Sequence, residues 1–151
     1  MALFVDKLAI SSPDITPLKR IEDRFTADGG HTVPRIEFSG APEGTVELAV
    51  VVHDPDAPLA NGFTHWVVYG IPGDATALDL EADGVRMAPN GADAAVWYGP
   101  EPPVGHGEHH YYFWVYALKR KVEGAPNREQ FLAEYADAII EQARFVGTFS
   151  R

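Results

Sequence analysis

The chain has 151 residues, enough for one ordinary domain, and is 46% hydrophobic, enough for a buried core. Twelve Lys and Arg against 22 Asp and Glu leave a formal charge of −10, which repels nucleic acid and anionic membrane surfaces; an anionic partner has to be captured by a local site against that field. The absence of cysteine removes disulfides, thiolate metal sites and cysteine nucleophiles together.

Met1 to Ile10 carries Asp6 and Lys7 and lacks a signal-peptide layout. No run approaches the roughly 20 apolar residues of a membrane span. A soluble, cytoplasmic protein is expected, without nucleic-acid partners or stable membrane insertion. No repeat or linker divides the chain, so residues 1–151 are expected to form a single domain. Glycine (14) and proline (12) recur throughout, a punctuation that suits short strands joined by turns.

In chain order, strands are expected at Leu3–Ile10, Arg35–Phe38 and Val46–His53, the last rich in valine and ending at Asp54-Pro55. Others follow at Thr64–Ile71, stopping at Pro72-Gly73, at Ala95–Tyr98, and at His110–Leu118, which is dense with aromatic and β-branched residues. Their spacing predicts a mostly β fold, an antiparallel sandwich rather than alternating βαβ units. One convincing helix follows Pro126, with Asn127 as N-cap and Gln130 completing a capping box. Leu132, Ala136, Ile139 and Ala143 then share a face, Phe131 and Tyr135 widen that stripe, and Gly147 ends the helix.

Three clusters carry the chemistry. Asp54-Pro55-Asp56-Ala57-Pro58 is a proline-stiffened loop presenting two carboxylates at a strand end. In Phe63-Thr64-His65-Trp66, His65 opens a strand and alternates with Val67, Tyr69 and Ile71 on an apolar face. The nearby Asp54 carboxylate can hold one of its ring nitrogens, fix the tautomer and raise its pKa. In Gly105-His106-Gly107-Glu108-His109-His110-Tyr111-Tyr112-Phe113, strand alternation separates His109, Tyr111 and Phe113 from His110, Tyr112 and Trp114. Either His-Tyr pair can line a pocket while the other is structural.

His106, His109 and His110 resemble zinc-ligand spacing, with Asp54 or His65 as a further ligand. Adjacent His109 and His110 point to opposite faces of a strand, however, and Gly105 and Gly107 oppose the helix that would bring His106 to His109. No metal or other cofactor is expected. Serine occurs only at positions 11, 12, 39 and 150, none in a nucleophile-elbow context, and no phosphate-binding glycine loop is present. An Asp-His pair activating water leaves a hydrolase open as an alternative.

Asp54-Pro55-Asp56-Ala57-Pro58 with His65-Trp66, and Gly105-x-Gly107-x-His109-x-Tyr111, resemble in order the two signatures of the phosphatidylethanolamine-binding protein family. Asn90-Gly91 and Tyr98-Gly99-Pro100 resemble its connecting segment, and Ala143–Arg151 the C-terminus of its compact bacterial and archaeal members, relatives of the Raf kinase inhibitor protein. The resemblance implies two antiparallel sheets packed face to face, with a C-terminal helix and short peripheral helices. It also implies a pocket for phosphate, phosphorylated head groups or similar anions, lined by Asp54, His65, His109 and Tyr111. Asp56, Pro58, Trp66, Gly99 and Pro100 would form its rim. Two departures stand out: His110 replaces a frequent Arg, and Glu101 a frequent Cys.

The expected function is therefore non-enzymatic binding of a small anion or phosphorylated ligand, by imidazole N–H groups, the Tyr111 hydroxyl and backbone N–H groups. Asp54 would orient a histidine or accept a proton from a protonated ligand oxygen. Walls from Trp66 and Phe113 would lower the local dielectric. Binding is expected to strengthen as pH falls through the histidine range. The alternative from family analogy is an interaction or inhibitor module whose pocket receives a partner protein, a kinase or a protease.

Overall fold

A computed structural model describes residues 7–151. Its core is an antiparallel sheet of five strands in the order β5-β4-β3-β6-β7: β3 (Glu47–Asp54), β4 (Phe63–Pro72), β5 (Arg86–Met87), β6 (His109–Leu118) and β7 (Ile139–Phe149). A second antiparallel sheet pairs β1 (Ala9–Ser11) with β2 (Glu37–Ser39). The fold is mostly β, with a short helix α1 (Arg128–Tyr135) near the C-terminus and 3-10 turns at Asp23–Phe25 and Ala136–Ala138.

The central strand β3 is buried along all eight residues because both faces of the large sheet are covered. On one face Leu48, Val50 and Val52 join Ile10, Ile36, Phe38, Trp66, Phe113 and Phe145 in the main core. On the other, Ala49 and Val51 meet Tyr69, Tyr116, Phe131 and Tyr135 beneath α1. This explains the unbroken valine run, since a strand sandwiched on both sides has no solvent face to alternate toward.

The strands expected near Arg35, Val46, Thr64 and His110 lie where β2, β3, β4 and β6 are found. Of Leu3–Ile10, residues 3–6 lie outside the described residues, and β1 begins at Ala9. Ala95–Tyr98 is a loop, not a strand. The Asn90 side chain curls it by accepting from the backbone of Ala92 and Ala94 and donating to Val96 O, and the buried Trp97 ring donates to Phe25 O at 3.1 Å.

The helix is also shorter than its apolar spacing predicts. The capping box is present, with Gln130 N donating to Asn127 Oδ1 at 2.9 Å and Asn127 N donating to Gln130 Oε1 at 3.0 Å. Yet α1 stops at Tyr135 after eight residues and buries Phe131 and Tyr135 rather than Leu132. Residues from Ile139 onward form β7, paired with β6 from Leu118↔Ile139 to His109↔Phe149. A register shift between Ala117 and Leu118 leaves Ile139 with the residues beneath α1 and Ala143 with the main core, so the two no longer share a face. The choice falls to pairing, because β6 would otherwise be an open edge carrying aromatic residues.

Phe131 fixes α1 to the sheet, packing against Tyr69 and Tyr116 with ring centroids 5.4 and 5.3 Å away. Phe131→Ala should therefore lower unfolding stability by about 3–5 kcal/mol, whereas Asn127→Ala should lose only about 1 kcal/mol. Urea denaturation of the two variants checks the ranking.

Candidate functional site

In an antiparallel sheet, the C-terminal end of β3 lies beside the N-terminal ends of β4 and β6. The register Asp54↔Phe63 and His53↔Tyr112 therefore gathers Asp54, His65, His109 and Tyr111 at one end of the sheet. All four line a pocket of about 350 Å³. On β6, strand alternation puts His109 and Tyr111 on the inner face, each 1% exposed. His110 turns outward to Asp56.

Simple alternation does not account for His65. Counted from Val67 and Tyr69, it belongs on the α1 side of the sheet. A β-bulge intervenes: Val52 pairs with Trp66 and His53 with Thr64, leaving His65 as the extra residue. The bulge places His65 and Trp66 on the same side, as bulges beside sites re-aim side chains. Thr64 points the other way, where its Oγ1 lies 3.0 Å from His53 Nδ1. His65 thus meets Tyr111 edge to face, ring centroids 5.1 Å apart, and Phe63 at 4.8 Å.

The hydrogen bonds redistribute the roles expected of the polar residues. Asp54 holds His109, not His65: its Oδ2 lies 2.6 Å from His109 Nδ1, and its Oδ1 accepts from Asp56 N at 2.8 Å. His65 Nδ1 donates instead to the carbonyl of Tyr98 at 2.6 Å. His109 Nε2 is met by His106 Nδ1 at 2.7 Å, so the loop brings these two histidines together without a helix. Asp54, His109 and His106 form a line of pairwise hydrogen bonds. Among the described residues no three His, Asp or Glu side chains converge as metal ligands.

Of the expected rim, Pro58 lines the pocket and the other four residues do not. The Asp56 carboxylate accepts from His110 N and Nδ1 at 2.8 and 2.7 Å, closing the 55–58 loop onto the start of β6. Trp66 is fully buried in the core, edge to face with Trp97, its Nε1–H directed at the Met87 sulfur. Phe113 likewise belongs to the core, stacked on Phe145 at 4.6 Å. Gly99 donates to His31 Nδ1 at 2.9 Å, and Pro100 O accepts from Ala27, both away from the pocket. A Cβ on Gly99 would lie 2.3 Å from Phe25 O, so the close approach that excludes other residues there is structural.

Sequence reasoning missed Phe63, Tyr98, Glu101, Pro102 and Pro103 among the lining residues. Phe63 and Tyr98 make the aromatic wall, 5.6 Å apart, with Gly91 so close that a Cβ there would lie 2.6 Å from the Phe63 ring. Tyr98 OH donates to Glu101 Oε1 at 3.2 Å. The hint in the sequence was Tyr98-Gly99-Pro100, whose contributing member is the tyrosine rather than the glycine and proline. A larger cleft of about 920 Å³ lies at the Glu47 and Pro72 ends of the strands. Its Arg86 donates to the carbonyls of Gly84, Val122 and Gly124, and its Glu47 accepts from Val122 N, so those charged groups are already engaged within the fold. The smaller pocket is the candidate site.

Burial dominates its electrostatics. It pushes the His65 imidazole down to about 4 from 6.5, the Tyr98 hydrogen bond opposing only in part. It raises the Asp54 carboxyl above 3.8 against the His109 bond, and holds the Tyr111 hydroxyl far above its ordinary 10. His65 is consequently neutral throughout the usual histidine range. Binding through a charged His65 near pH 6 does not follow.

His53, behind the bulge, is likewise pushed down to about 4, chiefly by burial. A histidine whose folded pKa lies below its unfolded value stabilises the fold above the unfolded pKa, and that stability is lost as pH falls. For His65 the interval from 6.5 to about 4 corresponds to about 3 kcal/mol. Stability from urea unfolding should decline between pH 6.5 and 4, and His65→Gln should flatten that decline.

Comparison with known proteins bears on this arrangement. The family model described as phosphatidylethanolamine-binding protein matches residues 11–150. A UPF0098 protein of Aquifex aeolicus is 36% identical over 136 residues, covering 84% of this chain and 79% of the relative. The UPF0098 protein YbcL of Escherichia coli is 44% identical over 105 residues, covering 63% and 57%. Among solved structures, E. coli YbcL, described as a new member of the mammalian PEBP family, superposes with a TM-score of 0.89 at 29% identity, over 97% of this chain and 99% of that one. The PEBP homolog CT736 of Chlamydia trachomatis gives 0.86 at 25%, with the same coverage. With a sandwich of this topology and a family match spanning nearly its whole length, the chain belongs to the phosphatidylethanolamine-binding protein family, in its compact bacterial form.

Proposed function

We propose that the protein is a non-enzymatic binding protein whose pocket takes a small oxyanion-bearing ligand such as a phosphorylated head group. The observation that carries this reading is the Tyr111 hydroxyl. It is buried at the pocket, and among the described residues it has no hydrogen-bond partner. An unpaired buried hydroxyl costs about 1–3 kcal/mol, which a ligand acceptor restores. Binding-type function is also what family membership supports.

The lining supports binding over turnover. Among the described residues no serine, threonine or cysteine lines the cavity. Its two phenols, Tyr98 and Tyr111, are both raised above their ordinary value by burial and stay protonated at neutral pH. A pocket of about 350 Å³ holds a head group rather than an acyl chain.

Phosphoethanolamine titrated at pH 6 should shift the side-chain NMR signals of His65 and Tyr111. Tyr111→Phe should raise Kd roughly three- to tenfold, the worth of one hydrogen bond, while leaving Tm unchanged or higher, because it removes an unpaired polar atom. No shift at millimolar ligand, or unaltered affinity in the variant, would overturn the assignment.

A further inference from the structure

The open hydrogen-bonding groups of this pocket are mixed in sign, and that mixture selects among oxyanions. The Tyr98 carbonyl can only accept, so His65 Nδ1 carries the hydrogen of their 2.6 Å bond. In the neutral ring Nε2 is then a bare lone pair. Among the described residues nothing bonds to it, and it is not sealed from the cavity. The Tyr111 hydroxyl, on the same pocket, is a donor without an acceptor. The two rings are in edge-to-face contact, 5.1 Å between centroids.

The rest of the lining adds few donors. Among the described residues no lysine or arginine lines the pocket, and Pro58, Pro102 and Pro103 have no backbone N–H. Arg151, whose charge is felt at Tyr111, is held by Pro102 O and Asp28. His109 Nε2 is already met by His106. A fully deprotonated oxyanion, all acceptor, would set an oxygen lone pair against the His65 lone pair. An ammonium, all donor, would leave the Tyr111 hydroxyl unused.

Resting on the binding reading above, we propose that the pocket selects singly protonated oxyacids, phosphate monoester monoanions above all. The ligand's P–OH donates to His65 Nε2 and an unprotonated oxygen accepts from Tyr111 O–H. Fully deprotonated sulfate monoesters of the same shape are rejected. A buried acceptor facing the ligand discriminates because the wrong ligand leaves it unpaired.

The titratable groups around the ligand are Asp54 from β3, His65 from β4, His109 and Tyr111 from β6, and Tyr98 and Glu101 from the loop before β6, with His106 behind His109. Phenyl sulfate shares the shape and the oxyanion and carries no ionisable proton in this range. The ligand's own proton acts on the phosphate alone, so the ratio of the two affinities isolates it.

The test is calorimetric titration of the full chain with phenyl phosphate, phenyl sulfate and ethanolamine at pH 6, 7 and 8. Phenyl phosphate should bind at pH 6 about tenfold or more tighter than phenyl sulfate, the worth of one buried hydrogen bond. That ratio should fall by up to about fifty-fold by pH 8, as the monoanion is depleted above a second pKa near 6. Equal affinities for the two esters, or a ratio independent of pH, would overturn the selectivity while leaving oxyanion binding intact. Binding of ethanolamine alone, or of no probe at all, would overturn both.

Discussion

The functional end of this molecule depends on one extra residue in one strand. Without the bulge opposite Val52 and His53, alternation along β4 would turn His65 toward α1 and leave the pocket without that imidazole, only His109 remaining. With it, two consecutive residues face the same way: Trp66 enters the core and His65 reaches the cavity. The rest of the local architecture answers that placement. Thr64, turned to the opposite face, lies within hydrogen-bond distance of His53, and the 89–101 loop supplies the Tyr98 carbonyl that fixes the tautomer of His65.

The second constraint is the low dielectric in which these groups sit. Water at the surface would let imidazoles, phenols and carboxyls titrate near their ordinary values. Here burial keeps His65 neutral, Tyr111 protonated and Asp54 reluctant to ionise. A net charge of −10 already opposes anions at long range. Recognition in such a setting rests on matched donors and acceptors rather than on attraction between charges. Each unmatched group weighs more for being dry.

Much of this was legible in the chain. Valine-rich and aromatic runs located the long strands, and alternation separated His109 from His110 because β6 is regular where it begins. The resemblance to the family brought Asp54, His65, His109 and Tyr111 into one set. Pairings within the set were not legible. Nothing in Thr64-His65-Trp66 marks a bulge, so alternation put His65 among Val67 and Tyr69, and the nearness of the Asp54 loop offered it the wrong partner. The C-terminal segment failed for a different reason. The apolar residues at 132, 136, 139 and 143 keep a helical spacing across the point where β7 begins, and the deciding fact, an unfilled edge on β6, is a property of the sheet rather than of the segment. Trp66 and Gly99 sit next to site residues in sequence yet serve the core and a loop contact, since adjacency along a strand or a turn says little about direction.

The line from Asp54 through His109 to His106 has a consequence beyond positioning. A carboxyl only 2% exposed is ordinarily cut off from bulk water, and its proton moves only when the surrounding structure opens. Here its neighbour His109 is bonded in turn to a histidine on an exposed loop, whose flanking glycines, Gly105 and Gly107, both have positive φ and nothing crowding them. The deepest acid of the pocket is thereby joined to an exposed loop through two imidazoles in series.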